Sequence, residues 1–205
     1  QLIYNNGDGC VYAVNETGKT VSAKTAVDIY GADSKHVARI ENEIELADRK
    51  PVKVASVSPS GKSEGMFLFL SVEADGKTYT NWYAVPAQED VFDFSDTDWM
   101  ITPITRYADL KFVSALPEVE LGISESRSVE NGRTVVTVEL SNDSDYVSYQ
   151  NIVLLKDAEG EIVLPSFWSD NFVSIAPHSK MTLVCELDGS AEGSVVEVRG
   201  FNLKK

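Results

Sequence analysis

The chain of 205 residues carries 18 Lys and Arg against 32 Asp and Glu, a formal charge of −14, with 43% apolar and 24% charged residues. That balance is globular and not disordered; the shortage of cations excludes binding along a nucleic-acid backbone and argues against an anionic membrane surface, since both rely on Lys and Arg. No apolar run approaches the roughly 20 residues that span a bilayer, and a (β/α)8 barrel of about 250 residues does not fit the length.

The chain opens Gln1-Leu2-Ile3-Tyr4, a strand-like stretch without an initiator Met or a charged-then-apolar leader, and is expected to be a piece of a longer protein. From there the dominant signal is alternation with a period of two. Val21, Ala23, Thr25, Val27 and Ile29 fall on one side, with Ser22, Lys24 and Asp28 on the other. Ser34 to Arg49 fits a helix through Val37, Ile40, Ile44 and Ala47, but Glu41, Glu43 and Glu45 alternate outward and predict a strand. Val136, Val138 and Leu140 alternate with Thr137 and Glu139. Met181, Leu183, Cys185 and Leu187 alternate with Thr182 and Glu186, and Val196 and Val198 with Glu197 and Arg199. Between these runs stand Asn6-Gly7-Asp8-Gly9, Asp75-Gly76, Asn131-Gly132, Glu159-Gly160 and Asp188-Gly189. Such pairs tolerate positive φ and suit tight hairpins.

Many short strands with such turns predict an all-β protein of two tandem immunoglobulin-like sandwiches, at about 100 residues each. The alternation breaks between Val85 and Pro103, where Pro86, Glu89, Asp90, Asp93, Asp96, Asp98 and Pro103 fall and no Lys or Arg occurs. The expected domains are therefore 1–85 and 104–205, joined by a connector over 86–103. Residues 1–103 and 104–205 each hold 9 basic and 16 acidic groups, so neither half is an acidic tail. Phe92, Phe94 and Trp99 predict a packed, rigid connector.

Catalytic chemistry is not visible in these residues. His36 and His178, the two histidines, read as solvated surface groups, and no Ser occupies a Gly-x-Ser-x-Gly elbow. Carboxylates abound, but abundance alone does not reveal the paired geometry of a glycosidase. Asp93 to Asp98 lacks the spacing and the glycine of an EF-hand loop. Cys10 and Cys185 are the only cysteines and are expected to be small buried hydrophobes, so no metal and no cofactor is expected. Asn15-Glu16-Thr17 and Asn142-Asp143-Ser144 match the glycosylation sequon. The remaining candidates are aromatic. Trp82, Trp99 and Trp168, with Tyr83, Phe167 and Phe172, either fill cores and domain interfaces or form a platform on which sugar rings stack.

Two stretches are more specific. One runs Ile101-Thr102-Pro103-Ile104-Thr105-Arg106-Tyr107-Ala108-Asp109-Leu110 with Ser114-Ala115-Leu116-Pro117 after it. The other runs Leu164-Pro165-Ser166-Phe167-Trp168-Ser169-Asp170-Asn171-Phe172 and leads to Pro177. Together they resemble the C-terminal β-sandwich of family 2 glycoside hydrolases of the β-mannosidase and exo-β-glucosaminidase type. Val11-Tyr12-Ala13-Val14-Asn15 and Asn81-Trp82-Tyr83 resemble the opening and closing strands of the sandwich that precedes it, so the resemblance covers essentially the whole chain. Pro177-His178-Ser179 departs from it, where relatives tend to have a Gly and an acid in the turn. The resemblance implies a parent with N-terminal domains and a catalytic (β/α)8 barrel that uses two glutamates, and none of that barrel is in this chain. It implies no catalytic residue here, a retaining mechanism in the parent, and a periplasmic or extracellular location.

Three functions follow as expectations. An accessory pair that packs on the parent's barrel would show an exposed apolar or aromatic patch. A carbohydrate-binding module would show exposed, coplanar rings near Trp82, Trp99 or Trp168, binding an oligosaccharide. A cell-envelope spacer would turn on the rigidity of the connector. Trp168 and Asp170 are expected to fix their own loop or, with that loop at the barrel's rim, to touch distal sugars; Arg106 and Asp109 are expected to pair locally in preference to contacting substrate.

Overall fold

A computed structural model of the protein describes residues 1–57, 65–189 and 191–204, and each alternating run lies in a strand of it. The chain divides into two compact units, Gln1–Ala115 and Leu116–Lys205. The stretch 86–103 therefore belongs to the first unit.

In the first unit β1 (Leu2–Asn5), β2 (Cys10–Ala13) and β5 (Val52–Ser56) form one sheet. The other is ordered β4 (His36–Leu46), β3 (Val21–Gly31), β6 (Gly65–Ala74), β7 (Lys77–Pro86), all antiparallel. Val11, Ala13, Val21, Val27, Leu46, Leu68 and Leu70 fill the space between them. Within 34–49, His36–Leu46 is a strand as its glutamates predict: Glu41, Glu43 and Glu45 are exposed, while Ile40 and Ile44 pack on the core. Asp75 and Gly76, at φ 50° and 69°, close the β6–β7 hairpin with Ala74 opposite Lys77. That pair of positive φ values is what a two-residue turn matching the strand twist demands.

The unit ends in β8 (Val91–Phe92), β9 (Ile104–Arg106), which pairs with β8, and the short α1 (Lys111–Ser114). The Phe112 ring of α1 lies 5.2 Å from that of Phe67, on the face of β6 opposite Leu68. Both rings are buried. Gly65 makes that possible, because a Cβ there would sit 2.4 Å from the Phe112 ring.

In the second unit the sheets are β10 (Leu121–Glu130), β11 (Arg133–Asn142), β15 (Ser179–Asp188), β13 (Phe167–Trp168) and, facing them, β14 (Val173–Ile175), β12 (Ser148–Lys156), β16 (Val195–Arg199). Val136, Val138, Leu140, Leu183 and Leu187 meet Val153, Leu155, Val173 and Ile175 in the core. Asn131 and Gly132, at φ 52° and 81°, close β10 onto β11. Arg127 of β10 donates to the carbonyls of Ala191 at 2.6 Å and Ser194 at 2.8 Å, which ties this edge strand to the loop before β16.

The two sequon asparagines do the same structural work in the two units. Asn15 Oδ1 accepts the Thr17 N–H at 3.1 Å and hydroxyl at 2.8 Å, while its Nδ2 donates to the Lys19 and Leu46 carbonyls at 2.7 and 2.8 Å. Asn142 Oδ1 accepts the Ser144 N–H at 3.2 Å and hydroxyl at 2.7 Å; its Nδ2 donates to the carbonyls of Tyr146 at 2.8 Å, Ile175 at 3.2 Å and Ala176 at 3.1 Å. Both side chains are buried. The Asn-x-Ser/Thr pattern is thus an Asx turn that pins the end of one strand to another. No attachment point for a sugar is exposed at either asparagine.

Candidate functional site

The four residues singled out from the sequence sit in three settings. Trp82 is half-buried on β7, opposite Phe69 of β6. Phe69 meets Tyr30 edge to face at 5.6 Å, and Tyr30 meets His36 at 5.1 Å. Trp82 therefore belongs to an aromatic row across the outer face of the four-stranded sheet. Further along that face is a polar depression of about 420 Å³ lined by Lys24, Arg39, Glu41, Glu43 and Glu73 among others. Its charges are largely spent on one another, Lys24 with Glu43 at 3.4 Å and Arg39 with Glu41 at 2.8 Å.

Trp168 is half-buried and packs on the second core, opposite Cys185. The loop after it is held to its neighbours by backbone bonds. Ser169 N–H donates to the Val184 carbonyl at 2.7 Å, and Asn171 bridges both backbone groups of Val153 at 2.9 Å. Asp170 is exposed and accepts the N–H of Asn171 at 2.8 Å. Trp168 thus anchors this loop by burial, while Phe167 and Phe172 on either side of it are exposed.

Trp99 is different. It stands at the tip of an arm formed by residues 91–106, whose base is the β8–β9 ribbon, and it is 90% exposed. Phe94 at 78%, Met100 at 69% and Ile101 at 62% are exposed beside it in sequence. The order expected here from packed aromatics comes instead from carboxylates that bind backbone. Asp93 Oδ1 accepts the Ser95 N–H at 3.0 Å and its hydroxyl at 2.5 Å. Asp98 Oδ1 accepts the N–H groups of Met100 and Ile101 at 2.7 and 2.8 Å, and Asp98 N–H donates to the Ile101 carbonyl at 3.0 Å. At the base, Asp90 accepts the Ala108 N–H at 2.8 Å. The bonds from Ser95 hold the Asp93 carboxyl below the ordinary aspartate value, and those from Met100 and Ile101 do the same at Asp98. Burial, then the nearby Asp90 charge, pushes the Glu89 carboxyl up.

The expected Arg106–Asp109 pair does not form. Asp109 turns toward α1, accepting the Lys111 N–H at 3.0 Å and facing its Nζ at 3.4 Å, and Arg106 makes no ion pair among the described residues. His36 lies 3.2 Å from Asp28, and His178 lies 2.8 Å from Asp145 in an exposed turn. Both cysteines are free thiols and buried, and burial pushes the Cys185 thiol up. Among the described residues no three His, Cys, Asp or Glu are gathered as metal ligands, and no helix is long and apolar enough to cross a membrane.

The model of the exo-β-D-glucosaminidase Ig-fold domain family matches residues 99–203. The chain belongs to that family. Relatives of this Ig-fold domain extend the similarity over both units. The exo-β-D-glucosaminidase of Arthroderma benhamiae is 30% identical over 208 residues, covering 99% of this chain and 23% of that protein. That of Streptomyces avermitilis is 30% identical over 214 residues, covering 97% and 24%. Among solved structures, an exo-chitosanase of Amycolatopsis orientalis shares the fold with a TM-score of 0.90 at 24% identity, over 99% of this chain and 25% of that one. A β-D-mannosidase of Dictyoglomus thermophilum shares it with a TM-score of 0.61 at 18% identity, over 100% and 21%. The immunoglobulin-like fold class and the family 2 type read from the sequence are both met. The chain spans about a quarter of the length of the curated relatives it matches.

Proposed function

We propose that these two sandwiches are a non-catalytic accessory part of a family 2 β-glycosidase, and that the parent releases β-linked glucosamine units in the manner its relatives' names describe. The observation that carries this is the alignment of nearly the entire chain, both units together, with about a quarter of each exo-β-D-glucosaminidase. Within that reading, β-glucosaminides are favoured over β-mannosides, because the mannosidase is similar in fold only. The partner is the rest of the parent polypeptide, including a (β/α)8 barrel that supplies the catalytic carboxylates.

One observation favours a second reading. Trp99 is exposed among carboxylates, a surface on which a cationic amino sugar can stack and pair. Calorimetric titration of the chain with chitosan oligosaccharides, with a hydrolysis assay on the same samples, separates the two. The accessory reading expects neither heat of binding at millimolar sugar nor turnover. Saturable binding that is lost in Trp99→Ala assigns a carbohydrate-binding module instead.

A further inference from the structure

Resting on the accessory reading, we propose that the arm formed by residues 91–106 is a docking element, and that it seats in an apolar recess bordered by Lys and Arg on the catalytic part of the parent polypeptide. Three properties of the arm point there.

The first is its tip. Phe94, Trp99, Met100 and Ile101 lie within eight residues of chain and are 78, 90, 69 and 62% exposed. Chains that remain free in water rarely offer so much clustered apolar surface. Aromatic residues and Met are the types enriched where interfaces bury their centres.

The second is that the arm is already shaped. Asp93 and Asp98 each accept two local bonds, Thr97 Oγ1 donates to the Asp93 carbonyl at 3.4 Å, and Thr105 Oγ1 donates to the Val91 carbonyl at 3.1 Å. The Phe92 and Phe94 rings meet with centroids 6.0 Å apart, tilted by 36°. A segment whose backbone is fixed before association loses little further freedom on binding. A loop with no partner gains nothing from holding four large apolar side chains out in water.

The third is charge. Residues 85–103 hold Glu89, Asp90, Asp93, Asp96 and Asp98 without a Lys or Arg, and none of the five makes an ion pair among the described residues. Unmatched negative charge around an apolar tip calls for a recess with a cationic rim, where complementary potentials fix register and exclude wrong partners. The occupant follows from length. About three quarters of each matched exo-β-D-glucosaminidase lies outside the aligned region, so the parent has ample surface for such a seat.

The test is hydroxyl-radical footprinting of Trp99 and Met100, read by mass spectrometry, in this chain alone and in the longer polypeptide that carries it. Oxidation at both residues is expected to fall about tenfold in the longer polypeptide, in proportion to the area removed from water at an interface centre. The double variant Trp99→Ser/Met100→Ser provides a second readout. It is expected to leave the melting temperature of the isolated chain unchanged and to shorten the thermal inactivation half-life of the longer polypeptide several-fold, more so at low salt.

Equal oxidation in both forms, with the longer polypeptide active on β-glucosaminides, overturns the docking arm and leaves the accessory reading standing. Protection together with absence of glycosidase activity overturns the accessory reading and keeps the arm's seat on the parent. Protection of the isolated chain that follows its own concentration, or the addition of chitosan oligosaccharide, assigns the arm to a second copy or to sugar and overturns the proposal.

Discussion

Replacing Asn142 by Ala tests whether the sequon pattern is a structural turn. The side chain is buried, and its Nδ2 is the donor to three carbonyls, those of Tyr146, Ile175 and Ala176, the last two on buried residues. Alanine leaves these acceptors without that donor, and it frees the Ser144 N–H and hydroxyl that Oδ1 had held. At about 1–3 kcal/mol for each orphaned buried group, the two buried carbonyls alone give a loss of about 2–6 kcal/mol. For a unit of this size that lowers the melting temperature by roughly 10 °C or more. Two units preclude a single unfolding free energy, so the assay is differential scanning calorimetry with the transitions resolved, Trp168 fluorescence marking the second unit. Asn142→Ala is expected to move the second unit's transition, and Asn15→Ala that of the first. A shift under about 4 °C, equivalent to less than about 1 kcal/mol, refutes the turn. So does a natively folded and equally stable chain that carries a glycan at Asn142, since a glycosylated Nδ2 has no room to keep its buried carbonyl partners.

Phe112→Ala is expected to cost about 3–5 kcal/mol by opening the space over Phe67, and Gly65→Ala to destabilise the same unit by forcing the ring away; chemical denaturation of the first unit checks both. The folded-state pKa of Asp98 is depressed, so what its turn contributes is fully present above the ordinary aspartate value of about 3.9 and is lost as pH falls through the lower folded value. Hydrogen exchange at Met100 and Ile101 is expected to lose protection over that range, and Asp98→Asn to remove the dependence; protection that holds through acid pH contradicts it. Cys185 is expected to resist a thiol reagent until the second unit unfolds, because its thiol is buried and pushed up. Rapid labelling of the native chain would contradict that placement.

The fold was legible because it rests on local rules. Alternation set the inward faces of β3, β11 and β15, and Asp75-Gly76 and Asn131-Gly132 carried the positive φ values that set hairpin register. Even the ambiguous segment 34–49 was decided by the outward spacing of its glutamates. What escaped were features that depend on a distant partner. The structural role of Asn15 and Asn142 is not visible in their sequons, because the strand ends they bind, at Leu46 and at Ile175 and Ala176, are about 30 residues away. Arg106 and Asp109 have pairing distance in sequence, but α1 begins just beyond and its backbone N–H competes for the carboxylate. Phe92, Phe94 and Trp99 looked like connector packing because large aromatics usually are buried. The signal that was present is the spacing: Asp-x-Ser at 93–95 and Asp-x-Met-Ile-type turns at 98–101 place a carboxylate two or three residues before the N–H it binds.

The accessory reading puts catalysis outside this chain, in a polypeptide that we propose acts on β-glucosaminides. Its most direct test is to assay three proteins side by side on chitosan oligosaccharides: this chain, the longer polypeptide, and the longer polypeptide truncated before Gln1. The accessory reading predicts no turnover by the chain, release of glucosamine by the longer polypeptide, and a less stable or inactive truncated form. Turnover by the chain alone, or a longer polypeptide that leaves these substrates intact, would contradict it.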